Sequence, residues 1–112
     1  MNLPELIGQG GKVVELNCGN GWLAALIDYQ SYTGYDSSLE NILAAKARQL
    51  PEAEFSLADV MRFQSDENYD TLIALVVDEN IKLHIMRFWS ATRFIFNNHV
   101  HIPGEVRYDI KP

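Results

Sequence analysis

The chain has 112 residues, 47% of them hydrophobic, and nine basic against fifteen acidic side chains give a net charge of −6. This is one domain's worth of chain with a real core, and its basic residues are scattered, which speaks against nucleic acid as a partner. No apolar run approaches the ~20 residues of a membrane span, residues 1–11 lack the basic start and apolar centre of a signal peptide, and the single Cys18 excludes an internal disulfide and suits a reducing cytoplasm.

Leu3, Leu6 and Ile7 predict one turn of helix with Pro4 near its start, ended by the glycines at 8, 10 and 11. Lys12–Leu16 reads as a strand. A loop with Gly19 and Gly21 follows, and Trp22–Tyr29 reads as a helix. Such a glycine loop lets a polar ligand approach the main chain, and a helix behind it adds free N–H groups and a dipole. Ser31–Tyr35 is a second strand ending at Asp36. Ser37 and Glu40 suggest a capping box for a helix whose inner face is Leu39, Ile42, Leu43, Ala47 and Leu50, stopped by Pro51. Ala53–Leu57 is a third strand with Phe55 and Leu57 inward. Tyr69–Val77 is a fourth, apolar enough to be buried on both faces, with Asp70 at its opening in a structural role. Asp78 caps a helix carrying Ile81, Ile85, Phe88 and Trp89 on one side. Thr92–Phe96 is a fifth strand, and His99–Ile110 alternates around Pro103-Gly104-Glu105 as a hairpin. The alternation of strands and helices predicts a three-layer α/β sandwich, Rossmann-like, with parallel order 3-2-1-4-5 and an antiparallel edge strand at Val106–Ile110.

Glu15 is the odd residue of the first strand: a carboxylate among apolar neighbours is costly without a hydrogen-bonding task. Val13-Val14-Glu15-Leu16-Asn17-Cys18-Gly19-Asn20-Gly21 resembles motif I of the class I S-adenosylmethionine-dependent methyltransferases, hydrophobic-Asp/Glu-hydrophobic-Gly-x-Gly-x-Gly. Asn17 replaces the first glycine, and asparagine is among the few residues that tolerate the left-handed region. The resemblance carries motifs over residues 12–77 and extends by pattern to Phe96. It implies a single domain over residues 1–112, shortened by the lack of an N-terminal lid and of the late strands.

The resemblance also implies a cofactor, S-adenosylmethionine, and a set of binding residues. Glu15 would orient the loop, while Asn17, Gly19 and Gly21 bring the backbone to the methionine part. Asp36, at a strand tip, would accept from both ribose hydroxyls at no cost to the fold if removed. Asp59 and Val60 fall where the family meets adenine, although Asp59 reads equally as a surface acid after a strand. Phe63 covers an adenine face or fills core, and Trp22 shields the cofactor or packs on a later helix. Cys18, with no basic partner in sequence, reads as a small buried residue, and His99 with His101 gives only a weak zinc signal.

No catalytic residue is nominated. Leu75-Val76-Val77-Asp78 lacks the Asn/Asp-Pro-Pro-Tyr/Phe signature by which amino-group methylases of the family hold a target nitrogen. Two function classes therefore stand side by side: a methyltransferase acting on an unknown small molecule or protein, and a non-catalytic module of the same fold working through a protein partner. A nicotinamide-dependent enzyme fits less well, given Glu15 inside the strand and Asn17 in place of that fingerprint's first glycine. The missing late elements further predict uncovered apolar surface around Phe94, Phe96, Val100 and Ile102, and hence a homodimer or a partner through the C-terminal edge.

Overall fold

The computed structural model describes residues 2–97, 99–104 and 108–109. In chain order its elements are α1 (Leu3–Ile7), β1 (Lys12–Leu16), β2 (Ser31–Asp36), α2 (Leu39–Ala47), β3 (Ala53–Leu57), β4 (Asn68–Ala74), α3 (Glu79–Phe88), β5 (Ser90–Phe96), β6 (His99–His101) and β7 (Tyr108–Asp109). The strands form a single mixed sheet ordered β3-β2-β1-β4-β5-β6-β7. The first five run parallel, and β6 pairs antiparallel with β5 and β7 with β6. This is the expected sandwich with its antiparallel edge. Val106 and Ile110, the ends of the expected edge strand, lie outside the described residues.

Alternation along the strands sends side chains to two cores. Val13, Tyr32, Phe55, Ile73 and Ile95 meet Ile7, Leu23, Ile27, Ile42 and Ala45 on one face. Val14, Leu16, Leu72, Ala74, Phe94 and Phe96 meet Val60, Ile85 and Trp89 on the other. The N-terminal segment is tied down by polar groups. Asn2 caps α1 by accepting from the Glu5 amide, and Gly8 ends it at φ 57°. Arg93 on β5 donates to Thr71 Oγ1 at 2.9 Å, to the carbonyl of Ile7, and to that of Gln9 at 3.3 Å. Asp70 accepts from the Lys12 amide at 2.7 Å, fixing the start of β1 beside β4, so the acid at this opening is structural as expected.

Trp22–Tyr29 is not a helix. The segment runs as consecutive turns, held by the Leu26 amide on the Leu23 carbonyl and by a bridge between Gln9 and Asp28. Distance explains this. Residues 22–30 must return the chain from the far end of β1 to Ser31, which is in register with Lys12. Along a five-residue strand that is roughly 13 Å plus the overhang of the loop. Nine residues of helix rise only about 13.5 Å, leaving none to enter and leave it.

Three smaller expectations also give way. Ser38, not Ser37, caps α2, accepting from the Asn41 amide. That phase buries Ile42 and Ala45 and leaves Leu39 and Leu43 exposed. On β3 Phe55 is inward, but Leu57 is exposed. β4 stops at Ala74, level with Phe96 at the end of its neighbour, so Leu75–Val77 form a loop in which Val76 is 86% exposed.

At the C-terminal edge Phe94 and Phe96 are fully covered, packed with His101 and His99 and under α3. Val100 and Ile102 are half-buried. Among the described residues the anticipated apolar patch is absent, because β6 pairs with β5 and its His99 and His101 pack on Phe96 and Phe94. Among the described residues no helix is long and apolar enough to cross a membrane.

Candidate functional site

The sheet order reverses between β1 and β4, and the crevice at the carboxyl ends of those strands is where open α/β sheets bind ligands. The loop after β1 lies there. Asn17, Gly19 and Gly21 all take positive φ, at 60°, 58° and 80°. Asn17 thus does what a glycine would do at that place. The two glycines differ in what they face. A Cβ on Gly19 would meet nothing within 4 Å, so its backbone is open to an incoming group. A Cβ on Gly21 would lie 3.0 Å from Ala45 and 3.2 Å from Phe55. Gly21 is therefore a packing glycine, needed to seat the loop on α2 and β3.

Asp36, at the tip of β2, clasps the loop. Its Oδ2 accepts from the Gly19 amide at 2.9 Å, and its Oδ1 from the Ser38 amide at 2.9 Å and the Asn41 amide group at 3.4 Å. It is buried, at 8% exposure. A carboxylate offers about four lone-pair sites. Three are used inside the protein, which leaves room for one more donor and not two. Glu15 has a different task. It is buried at 3% exposure and takes the Tyr32 hydroxyl as donor on Oε1. Burial pushes its carboxyl up to about 8, the Tyr32 hydrogen bond pulls it down, and nearby Asp36 adds to the rise. The role expected of Glu15, orienting the glycine loop, belongs to Asp36.

Arg48 was not legible as a site residue. It follows α2 and reaches back to the loop, its Nε donating to the Asn20 carbonyl at 2.8 Å and its Nη2 to Asn20 Oδ1 at 3.3 Å. Nothing in sequence, 28 positions away, signals that contact. The loop is thus pinned inside by Asp36 and outside by Arg48. No helix dipole stands behind it, since Trp22–Tyr29 is not helical. Cys18 is buried and its thiol is pushed up to about 12, by burial first and then by Glu15 and Asp36, so it is an inert core group.

After β3, Asp59 is exposed, caps a turn by accepting from the Met61 amide at 3.0 Å, and lies 3.8 Å from Arg62. Val60 is buried in the second core. Phe63 is 39% exposed, with its ring 4.9 Å from that of Tyr35 and 6.1 Å from that of Trp89. Trp22 is 43% exposed and joins neither core. The strand tips thus bring Asn17, Gly19 and Asp36 to one place. Asp59 and Phe63 follow the adjoining strand, while Glu15, Gly21 and Val60 serve packing beneath.

Beside the loop, at the ends of β4 and β5, lies a cleft of about 670 Å³ between α1 and the β4–α3 connection. A smaller cavity of about 370 Å³ between α2 and β3 shares no residue with the glycine loop or with Asp36 and Asp59.

No family model and no curated protein matches the chain. Its fold is similar to those of solved methyltransferases. An S-adenosylmethionine-dependent methyltransferase from Mesorhizobium loti superposes with a TM-score of 0.66 at 18% identity, over 79% of this chain and 46% of that one. The DhpI-SAM-HEP complex gives a TM-score of 0.60 at 23% identity, over 77% of this chain and 46% of that one. A complex formed with the Haloferax volcanii Trm112 methyltransferase activator gives 0.52 at 26% identity, over 61% of this chain and 33% of that one. The fold and crevice thus define a Rossmann-like domain of the kind found in S-adenosylmethionine-dependent methyltransferases. This chain spans less than half the length of each of those three structures.

Proposed function

We propose that this domain binds S-adenosylmethionine across the carboxyl ends of β1 and β2 and serves methyl transfer. The observation that carries the reading is the left-handed loop Asn17–Gly21, clasped by Asp36 at the reversal of the sheet, with the backbone at Gly19 open. The residues present fit the cofactor. Gly19 offers main chain to the methionine part, Asp36 keeps one lone pair for a ribose hydroxyl, and Asp59 with Phe63 stands at the adenine side. Glu15, Asn17, Gly21 and Val60 support these from within the loop and core. When bound, the cofactor supplies a methyl already activated on a sulfonium, so the protein's share is alignment and exclusion of water. Titration calorimetry with S-adenosylmethionine and, separately, with NAD tests this. Binding of the first and not the second is expected. Absence of binding, or a preference for NAD, overturns the reading.

A second reading keeps the fold without the catalysis: a non-catalytic module that acts through a second copy or another protein. Two observations favour it. The loop has no helix behind it, and Leu75–Val77 presents no polar side chain where a target nitrogen would be held. The similarity to a complex of the Trm112 activator supports a protein partner. Incubating the protein and labelled S-adenosylmethionine with cell extract separates the two readings. Label transferred to an acceptor supports the enzyme, while binding without transfer supports the module.

A further inference from the structure

The 670 Å³ cleft shares no lining residue with the loop–Asp36 site. Leu3 and Leu6 of α1 form one wall, and Val76 and Ile81 the other. Asp78 and Asn97 also line it. Its volume falls in the middle of the range for small-molecule sites, roughly 300–1,000 Å³, which are mainly apolar with a few fixed polar groups. Its position is equally specific. It opens at the ends of β4 and β5, on the other side of the sheet reversal from Asp36 and Asp59.

The lining also selects by charge. Among its described residues there is no basic side chain to pair with a carboxylate or phosphate. Asp78 spends Oδ1 on the Ile81 amide at 2.9 Å, as the cap of α3, and leaves Oδ2 for another donor. The cap lies at the positive end of α3, which amounts to roughly half a charge. The full charge on Asp78 outweighs it, while Glu79 in the same turn is ion-paired with Lys82 at 3.0 Å.

We infer that this cleft binds an apolar small molecule carrying an amine, with the apolar part between α1 and α3 and the amine donating to Asp78. As the acceptor side of a methyl-transfer site it rests on the cofactor reading above; as a binding site it stands without it.

The test is a set of amide NMR titrations of the full chain with octylamine, octanol and octanoate, each without cofactor. Shifts are expected at Leu6 and across Val76–Ile81, with a dissociation constant for octylamine in roughly the millimolar range. Octylamine should bind about fivefold tighter than octanoate, the scale of an exposed charge effect. Asp78→Asn keeps the cap and removes the charge, so it should abolish that preference and leave octanol binding unchanged. Val76→Lys, at an exposed position, should weaken octylamine about tenfold without unfolding the protein. Equal or tighter binding of octanoate, shifts confined to other regions, or an inert Val76→Lys overturns the inference. Displacement of octylamine by S-adenosylmethionine also overturns it, by making the cleft part of the cofactor site. Octylamine binding as expected in a protein that does not bind S-adenosylmethionine supports the cleft and defeats only the cofactor reading.

Discussion

Asp36 carries two duties on one carboxylate, and their consequences can be separated. Replacing it by alanine leaves the Gly19 and Ser38 amides without their acceptor, each worth about 1–3 kcal/mol when desolvated. Asp36→Ala should therefore lower stability in urea melts as well as weakening S-adenosylmethionine by about ten- to a hundredfold in calorimetry. A fully stable variant would contradict the clasp. The two glycines should divide in the opposite sense. Gly21→Val meets Ala45 and Phe55 and holds a branched residue at φ 80°, so it should destabilise by roughly 2–5 kcal/mol. Gly19→Ala has room for its methyl, so it should cost only about 1–2 kcal/mol of backbone strain while blocking the ligand side. Glu15 sets a pH dependence. Its carboxyl holds a proton up to about 8 in the folded chain, against 4.5 as its ordinary value. Between those values the unfolded chain is ionised there and the folded chain is not. This contribution to stability is complete below pH 4.5 and is lost as pH rises through 8. Glu15→Gln, which cannot ionise, should be more stable than the wild type at pH 8.5 and no more stable at pH 4. Urea melts at the two values measure it.

At the level of elements, the β1–β2 connection decides how the site is built. A helix after a glycine loop would hold that loop by its first turn. Here the chain cannot afford one, and side chains from β2 and from the end of α2 hold the loop instead. Arg48→Ala should remove the outer of these two holds. Faster hydrogen exchange at the Asn20 and Gly21 amides is expected, with a change in global stability within about 0.5 kcal/mol, since Arg48 is exposed. Unchanged exchange in the loop would show that Asp36 suffices alone.

Across the whole molecule, Arg93 joins parts far apart in sequence. It spans from the middle of β5 to β4 and to the carbonyls of Ile7 and Gln9, more than eighty positions upstream. Burial lowers its affinity for its proton, and Asp70 nearby raises it. Arg93→Ala should free α1 from the sheet and leave the Ile7 carbonyl without its donor, while Thr71 keeps its bond to the Gly10 carbonyl, costing about 1–3 kcal/mol. The loss should appear as exchange across residues 3–10 well before global unfolding, while β1, β2 and β4 stay protected. Simultaneous loss of protection everywhere would mean that α1 and the sheet form one cooperative unit.

The sequence by itself determined the strands, their order and the place of the loop. Strand signals are local: the apolar run Val13, Val14 and Leu16, the inward Phe55 of Ala53–Leu57, continuous apolarity from Tyr69, and the Pro103-Gly104 turn. Parallel crossovers have one hand, so few topologies fit them. Asn17 in the left-handed region and Asp70 in a structural role were legible for the same reason, since each depends on its own backbone or on strand pairing. Tertiary structure alone decided which groups meet. That Trp22–Tyr29 cannot be helical follows from the distance between strand ends, which propensity does not contain. That Glu15 answers to Tyr32 while Asp36 holds Gly19 follows from the register of β1 against β2. The covering of Phe94 and Phe96, the reach of Arg48 and the cleft beside α1 arise in the same way. They depend on side chains brought together across the sheet, and a one-dimensional pattern carries no record of those distances.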